Sequence, residues 1–317
     1  MPASEFSIIQ DYFTLDSDVG IPPVVGIGDD CAVLDIPGSK QLAVSTDTLV
    51  EGVHFLANSD PKLLGHKVLA VNLSDLAAMG ATPAWVSLAI TLPGIDTSWL
   101  SAFSKGFFAL AEKHSLRLVG GDTTRGPLSM TITIMGLLAK NQRLTRSAAN
   151  VGDSVYVSGY IGNAGLGLQK ASLGASDLSD EDLARYLSPT PRVSLGEALL
   201  NVASSCIDVS DGLSADLNHI LSLSGVGATI EHDALPLTSS VREHMRKLDD
   251  DLWPYSTGDD YELCFTVPER LKIESMQELA SYKITKIGVI EKAPGLRIKK
   301  SSGSTVFLDK GYEHFNE

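Results

Sequence analysis

Carboxylates recur along this chain beside glycine or hydroxyl residues. Asp29-Asp30 follow Gly26-Ile27-Gly28, Asp47 follows Ser45-Thr46, and Asp122 follows Gly120-Gly121. Asp208 and Asp211 flank Val209-Ser210, and Asp259-Asp260 follow Gly258, while Asp75 lies in a segment patterned as a helix. Most of these acids come after short apolar runs, so the pattern predicts carboxylates at strand ends, which converge on one side of a sheet. Two carboxylates about 4 Å apart repel by roughly 4 kcal/mol at an effective dielectric near 20. Proton sharing relieves one pair but not a larger group. The donors are oxygens, with no CxxC pair and no HxxxH spacing, so several Mg²⁺ ions are the expected counter-charge. Mg²⁺ in that number points to polyphosphate chemistry, where metal bridges phosphate oxygens. Ser, Thr and Asp also cap helices and make turns, so no single one of these motifs is decisive.

The elements that must position these groups follow from hydropathy patterning. A short amphipathic helix is expected over 1–13, with Phe6, Ile9 and Phe13 on one side, and Ile21-Pro22-Pro23 forces an extended segment. The run Leu42-Ala43-Val44 predicts a strand that stops at Ser45-Thr46-Asp47. Ser59-Asp60-Pro61 opens a helix ending near Gly80, with Asn72 and Asp75 on a shared face. A strand over 85–92, a helix over 96–114, and strands over 116–119 and 130–138 complete a β, β, α, β, α, β, β order, which marks an α/β or α+β domain. Periodicity lapses over 139–152, where Lys140, Arg143 and Arg146 collect. This divides the chain into an N-terminal domain 1–138, a linker 139–152 and a C-terminal domain 153–317. In the last of these, strands are expected over 153–158, 206–209, 227–231 and 261–267, and helices over 179–187, 191–204 and from Leu213 to about Ser224.

Composition bounds the function. The 317 residues suit two domains, and 44% hydrophobic with 20% charged residues suits a globular core. Lys+Arg 25 against Asp+Glu 39 leaves a net −14, which repels nucleic acid, anionic membrane and any phosphate not accompanied by cations. Cys31, Cys206 and Cys264 are far apart, which disfavours a disulfide framework and suits a cytoplasmic location. The chain lacks a basic leader and any run of about eighteen apolar residues, so no membrane span is expected. No GxxxxGK[ST] occurs, which excludes a P-loop. The glycine-rich loop 159–167 (GYIGNAGLG) reads either as a phosphate cradle or as a tight strand-to-helix turn. Two GDD triplets suggest a polymerase, but the acidic chain has no basic groove for nucleic acid.

Eight motifs, in order and over nearly the whole chain, resemble the thiamine-monophosphate kinase family: GIGDDCAV (26–33), STDTLVEGVHF (45–55), KVLAVNLSDLAAMGA (67–81), GGDTTRGPLSMT (120–131), LTRSAA (144–149), IDVSDGLSADL (207–217), GDDYELCFT (258–266) and GYEHF (311–315). The resemblance implies a two-domain fold of the aminoimidazole-ribonucleotide-synthetase type, with an N-terminal mixed sheet and helices, a C-terminal α/β domain, and a homodimer joined through the N-terminal sheets. It implies ATP-dependent phosphorylation of thiamine monophosphate to thiamine diphosphate. Mg²⁺ would be held by Asp30, Ser45, Thr46, Asp47, Asp75, Asp122, Asp208 and Asp211, and ATP by Gly121, Asp122, Arg146 and Ser210. His54, Asp259 and Tyr312 would meet the thiamine phosphate; the family commonly carries Glu where Asp259 stands.

The acceptor, a phosphate monoester, already carries about −1.5 to −2 near neutrality and needs no general base. Direct in-line transfer without a phosphoenzyme is therefore expected, with catalysis by positioning and charge screening. Aminoimidazole ribonucleotide synthetase, selenophosphate synthetase and the hydrogenase-maturation dehydratase stand as alternative enzymes on the same fold. A non-catalytic cation- or nucleotide-binding module stands as the alternative from another class.

Overall fold

The computed structural model describes residues 5–14, 20–27 and 31–308. The chain forms two compact units, Met1–Leu76 with Ala81–Asn141, and Ala77–Gly80 with Gln142–Glu317. Asp29, Asp30 and Tyr312 lie outside the described residues.

The first unit begins with helix α1 (Glu5–Ile8) and a π-helical turn, Ile9–Phe13. It continues through β1 (Lys40–Val50), α2 (Pro61–Met79), β2 (Thr82–Leu92), α3 (Thr97–Lys113), β3 (Arg117–Arg125) and β4 (Ser129–Ala139). The strands order as β1-β4-β2-β3. Only β2 and β3 run parallel, since α3 supplies the crossover that a parallel pair requires. The cap of α2 is Asp60, which accepts from Leu63 N–H at 3.0 Å ahead of Pro61. Gly80 ends the helix at φ +68°. The sequence predicts an apolar stripe on α2, but the helix is buried nearly all round from Leu64 to Ala78. Two glycines bring α2 and α3 together backbone to backbone. A Cβ on Gly65 would meet Phe103 O at 2.1 Å, and one on Gly106 would meet Lys62 O at 1.8 Å.

Two expectations for this unit are corrected. Among the described residues before Lys40, β-pairing occurs only at bridge positions, Val25↔Val33 among them, and no strand precedes β1. Nor does β1 stop at Ser45: it pairs with β4 without interruption from Lys40↔Ala139 to Val50↔Ser129. Asp122 likewise lies within β3. The hydroxyls read as a terminus instead extend the strand, because Ser and Thr keep their ladder bonds and pair across it.

The second unit contains β5 (Ser154–Ser158), α4 (Asn163–Ser172), α5 (Glu181–Leu187), α6 (Val193–Ala198), β6 (Ser205–Asp208), α7 (Leu213–Ser224), β7 (Gly227–Glu231), α8 (Ser239–Leu248), α9 (Trp253–Ser256), β8 (Leu263–Val267), β9 (Ile284–Glu291), β10 (Gly295–Lys299) and β11 (Thr305–Phe307). Its sheet orders as β11-β10-β7-β9-β5-β8-β6. Strands β5 and β8 are buried at every position, as central strands covered on both faces must be. Val155, Val157, Ile207, Leu217, Ile220 and Ile230 belong to one core cluster. The helix expected over 191–204 shortens to α6, and Asn201 takes φ +63° in the turn that follows. Among the described residues no helix is long and apolar enough to cross a membrane.

Candidate active site

In the first unit, alternation along β1 splits the STDT motif between the two faces of the sheet. Ser45 Oγ donates to Asp75 Oδ2 at 2.5 Å, so Ser45, and Asp47 two residues on, face α2. Thr46 and Thr48 point the other way and pair with Thr133 and Thr131 across β4, Oγ1 to Oγ1, at 3.0 and 2.8 Å. Register carries this division across the sheet. Asp47 shares a row with Ile132, Leu88 and Gly121, whereas Asp122 shares a row with Ala89, Thr131 and Thr48. Asp47 and Asp122 therefore stand on opposite faces of one sheet, and both are exposed. Position 121 must be glycine, because a Cβ there would lie 1.8 Å from Leu88 O. His54 follows β1 in a tight turn, and its Nδ1 accepts from Val50 N–H at 3.1 Å. In the neutral ring this leaves the proton on Nε2.

In the second unit, the candidate residues sit where β6 runs into α7. Asp208 ends β6 and is buried. The connection after it is tied to the segment before β8 by three backbone bonds: Val209 N–H to Glu262 O at 2.7 Å, Tyr261 N–H to Val209 O at 2.8 Å and Asp259 N–H to Ser210 O at 2.8 Å. Gly212 turns the chain into α7 at φ +110°, and a Cβ there would crowd the Tyr255 and Ser256 backbone at 3.0 Å. Asp216, in the first turn of α7, accepts from Ser210 N–H at 3.0 Å and Asp211 N–H at 3.1 Å. Burial, with the charges of Asp208 and Asp211 adding to it, pushes the Asp216 carboxyl up to about 8. Arg146 is exposed, and its neighbour Thr145 accepts from Cys206 N–H at 3.0 Å.

The GDDYE segment disperses its acids. Asp259 and Tyr261 both take left-handed backbone angles, φ +68° and +48°, and Tyr261 OH donates to Asp259 Oδ1 at 2.9 Å. The Asp259 charge also helps burial to raise the Tyr186 phenol. Asp260 turns away and accepts from Gly162 N–H at 2.7 Å and Ala164 N–H at 3.1 Å. It thereby caps α4, which removes Asp260 from the acids expected to converge. This also decides the GYIGNAGLG loop: a carboxylate of the chain itself occupies the helix N-terminus where a phosphate would sit, so the loop is the tight turn. Glu262 is 1% exposed and receives Arg192 Nε and Nη2 together with Ser158 Oγ.

The structure therefore brings Ser45 to Asp75, and Asp208, Ser210 and Asp211 to Asp216. Among the described residues no three His, Cys, Asp or Glu side chains stand close enough together to hold a cation. The donor chemistry still fits a hard divalent ion. Every candidate is an oxygen donor, and the carboxylates around Asp216 crowd negative charge that a cation offsets. No motif or spacing in the sequence singles out Asp216, the Asp260 cap or the Glu262–Arg192 pair. One signal existed: α4 opens on Gly162 with no side-chain cap of its own, so an acceptor from elsewhere in the chain was needed.

Comparison with known proteins places this geometry in context. The family model for the AIR synthase related protein N-terminal domain matches residues 28–138, and that for the C-terminal domain matches 150–301. The chain is 46% identical to the thiamine-monophosphate kinase of Salmonella typhimurium over 99% of both proteins. It superposes on the crystal structure of the Stenotrophomonas maltophilia thiamine-monophosphate kinase with a TM-score of 0.81 at 43% identity, covering 87% of this chain and 90% of that one. A second solved structure, AaThiL complexed with AMPPCP and TMP, matches at a TM-score of 0.78 and 31% identity over 98% and 97% of the two chains.

Proposed function

This chain belongs to the AIR synthase related family, and on that premise we propose that it transfers a phosphoryl group from ATP to thiamine monophosphate, giving thiamine diphosphate and ADP. The observation that carries this reading is the whole-length identity to thiamine-monophosphate kinases, supported by a relative whose structure holds an ATP analogue together with TMP.

We assign Mg²⁺ binding to Ser45, Thr46, Asp47, Asp75, Asp122, Asp208 and Asp211, with Asp30 beyond the described residues. Several bound Mg²⁺ ions would offset the charge of two anions brought together. Gly121, Asp122, Arg146 and Ser210 are assigned to ATP, and His54, Asp259 and Tyr312 to the acceptor. The Ser45 hydroxyl orients the Asp75 carboxylate through its hydrogen bond. The close approach at Gly121 leaves the β3 backbone beside Asp122 without a side chain. His54 Nδ1 accepts from Val50 N–H, which holds the ring in place and, in its neutral form, puts the proton on Nε2. The acceptor oxygen is already anionic, so no residue is assigned as general base.

The domain division is 1–138 for ATP and Mg²⁺ binding and dimerisation, 139–152 as linker and 153–317 as the C-terminal domain. A cytoplasmic homodimer is part of the proposal. The sheet face bearing Thr46, Thr48, Thr131 and Thr133 supports it, since Val44, two residues before Thr46 and on the same face, is 57% exposed.

The test is purified protein incubated with ATP, Mg²⁺ and thiamine monophosphate, with thiamine diphosphate scored by chromatography. Folded protein that makes none overturns the reading. A phosphorylated Asp or His formed with ATP alone and competent to pass on its phosphate would overturn the direct-transfer mechanism.

A further inference from the structure

The connection carrying Asp208, Ser210 and Asp211 contains neither helix nor strand after Asp208, so something other than a ladder must hold its shape. The Ser210 peptide is gripped from two directions. Its carbonyl accepts from Asp259 N–H at 2.8 Å, while its N–H donates to Asp216 Oδ2 at 3.0 Å. The next N–H, that of Asp211, reaches the same Oδ2 at 3.1 Å. Asp216 is 2% exposed, so bulk water does not compete for these donors, and a loop without this acceptor must turn to satisfy them elsewhere. The side chain sits on the first turn of α7, whose start is fixed by Gly212 against the Tyr255–Ser256 backbone. Asp216 thereby transmits the position of a helix to two consecutive peptides of the loop.

We propose that Asp216 is a positioning residue for the cation and nucleotide contacts of this loop, acting through one carboxylate oxygen as a double acceptor rather than as a further ligand. The inference rests on the kinase reading above for the roles of Ser210 and Asp211. It distinguishes two substitutions. Asp216→Asn keeps an acceptor oxygen of the same reach and removes the ionisable carboxylate, whereas Asp216→Ala removes the acceptor. A residue acting by charge or by ligation loses function with either change, but a positioning acceptor loses it only with alanine.

The experiment is calorimetric titration of the full-length protein, its Asp216→Asn variant and its Asp216→Ala variant with Mg²⁺ and AMPPNP, beside steady-state kinetics with ATP and thiamine monophosphate. Asp216→Ala is expected to weaken nucleotide binding, and raise the Mg²⁺ needed for half-activation, by about tenfold. The KM for thiamine monophosphate should rise as well but by less, about threefold, because Asp259 is tied to the loop through its N–H to Ser210 O while Asp260 keeps its own ties to α4. Asp216→Asn is expected to stay within about threefold of wild type on every measure. An asparagine variant as impaired as alanine overturns the proposal, as does a folded alanine variant that binds nucleotide like wild type. If alanine prevents folding, the asparagine variant alone decides. Nucleotide binding needs no acceptor, so wild-type protein that binds Mg²⁺–AMPPNP without phosphorylating thiamine monophosphate defeats the substrate reading while the variants still judge Asp216.

Discussion

The two units hold their candidate residues in different ways. In the first, Ser45, Asp47 and Asp122 stand on long strands whose ladders run unbroken past them, and Asp75 stands on a helix seated by two glycines. Asp47 and Asp122 are exposed, and the backbone beneath each is fixed by the ladder whatever the side chain does. In the second, Asp208, Asp216, Asp260 and Glu262 are all buried on or beside connections that have no ladder. There the carboxylates are themselves the fastenings: Asp216 to its loop, Asp260 to α4, and Glu262 to Arg192 and Ser158. Asp47 and Asp122 can thus serve chemistry at little structural cost, whereas Asp216, Asp260 and Glu262 are committed to structure.

Substitutions sharpen this contrast. The largest effect is expected from Asp47→Asn, which should cut turnover about 10²-fold or more while the melting temperature stays within about 2 °C of wild type. Retained activity removes Asp47 from the site, and a large fall in melting temperature removes the distinction between the units. Asp260→Ala should behave in the opposite way. It orphans the Gly162 and Ala164 N–H groups and should cost about 2 kcal/mol in urea unfolding at low pH.

That cost should depend on pH with a definite sign. Burial raises the Asp260 carboxyl from 3.8 to about 8, with Glu262 and Asp259 adding to the shift and the two backbone donors opposing it. The folded state therefore holds a proton that the unfolded state releases between those values. Stability contributed at Asp260 is fullest below about pH 4, declines up to about pH 8 and is level above it. The stability gap between wild type and Asp260→Ala should narrow across that window, and a gap that widens with pH contradicts the assignment. The smallest effect is expected from Tyr261→Phe, which removes one hydrogen bond from Asp259. A rise of about fivefold in the KM for thiamine monophosphate, with kcat and stability nearly unchanged, is the outcome to check.

Much of this was legible in the sequence where the cause is local. Pro61 after Asp60, Gly80 at the end of α2 and Asp96 at the start of α3 set helix boundaries through their own backbone preferences. Hydropathy patterning finds the strand of the STDT motif but ends it too early. A run of Ser and Thr is compatible with a turn and with a ladder, and only β4 alongside selects the ladder. The Asp260 cap and the Glu262–Arg192 pair join groups distant in the chain, and no local pattern specifies such partners.

By itself the sequence determined the class of chemistry: oxygen donors in excess, no thiolate or imidazole set, a strongly acidic surface, and motifs ordered as in one kinase family. Residue type and spacing fix these because they state which groups exist and how the chain turns beside them. Tertiary structure alone decided which face each acid occupies and which acids are taken up as fastenings. Side-chain direction in a sheet alternates with register, and register is a property of two strands together. That is why Asp47 and Asp122, alike in sequence, lie on opposite faces, and why Asp259 takes the Tyr261 hydroxyl while its neighbour Asp260 closes a helix.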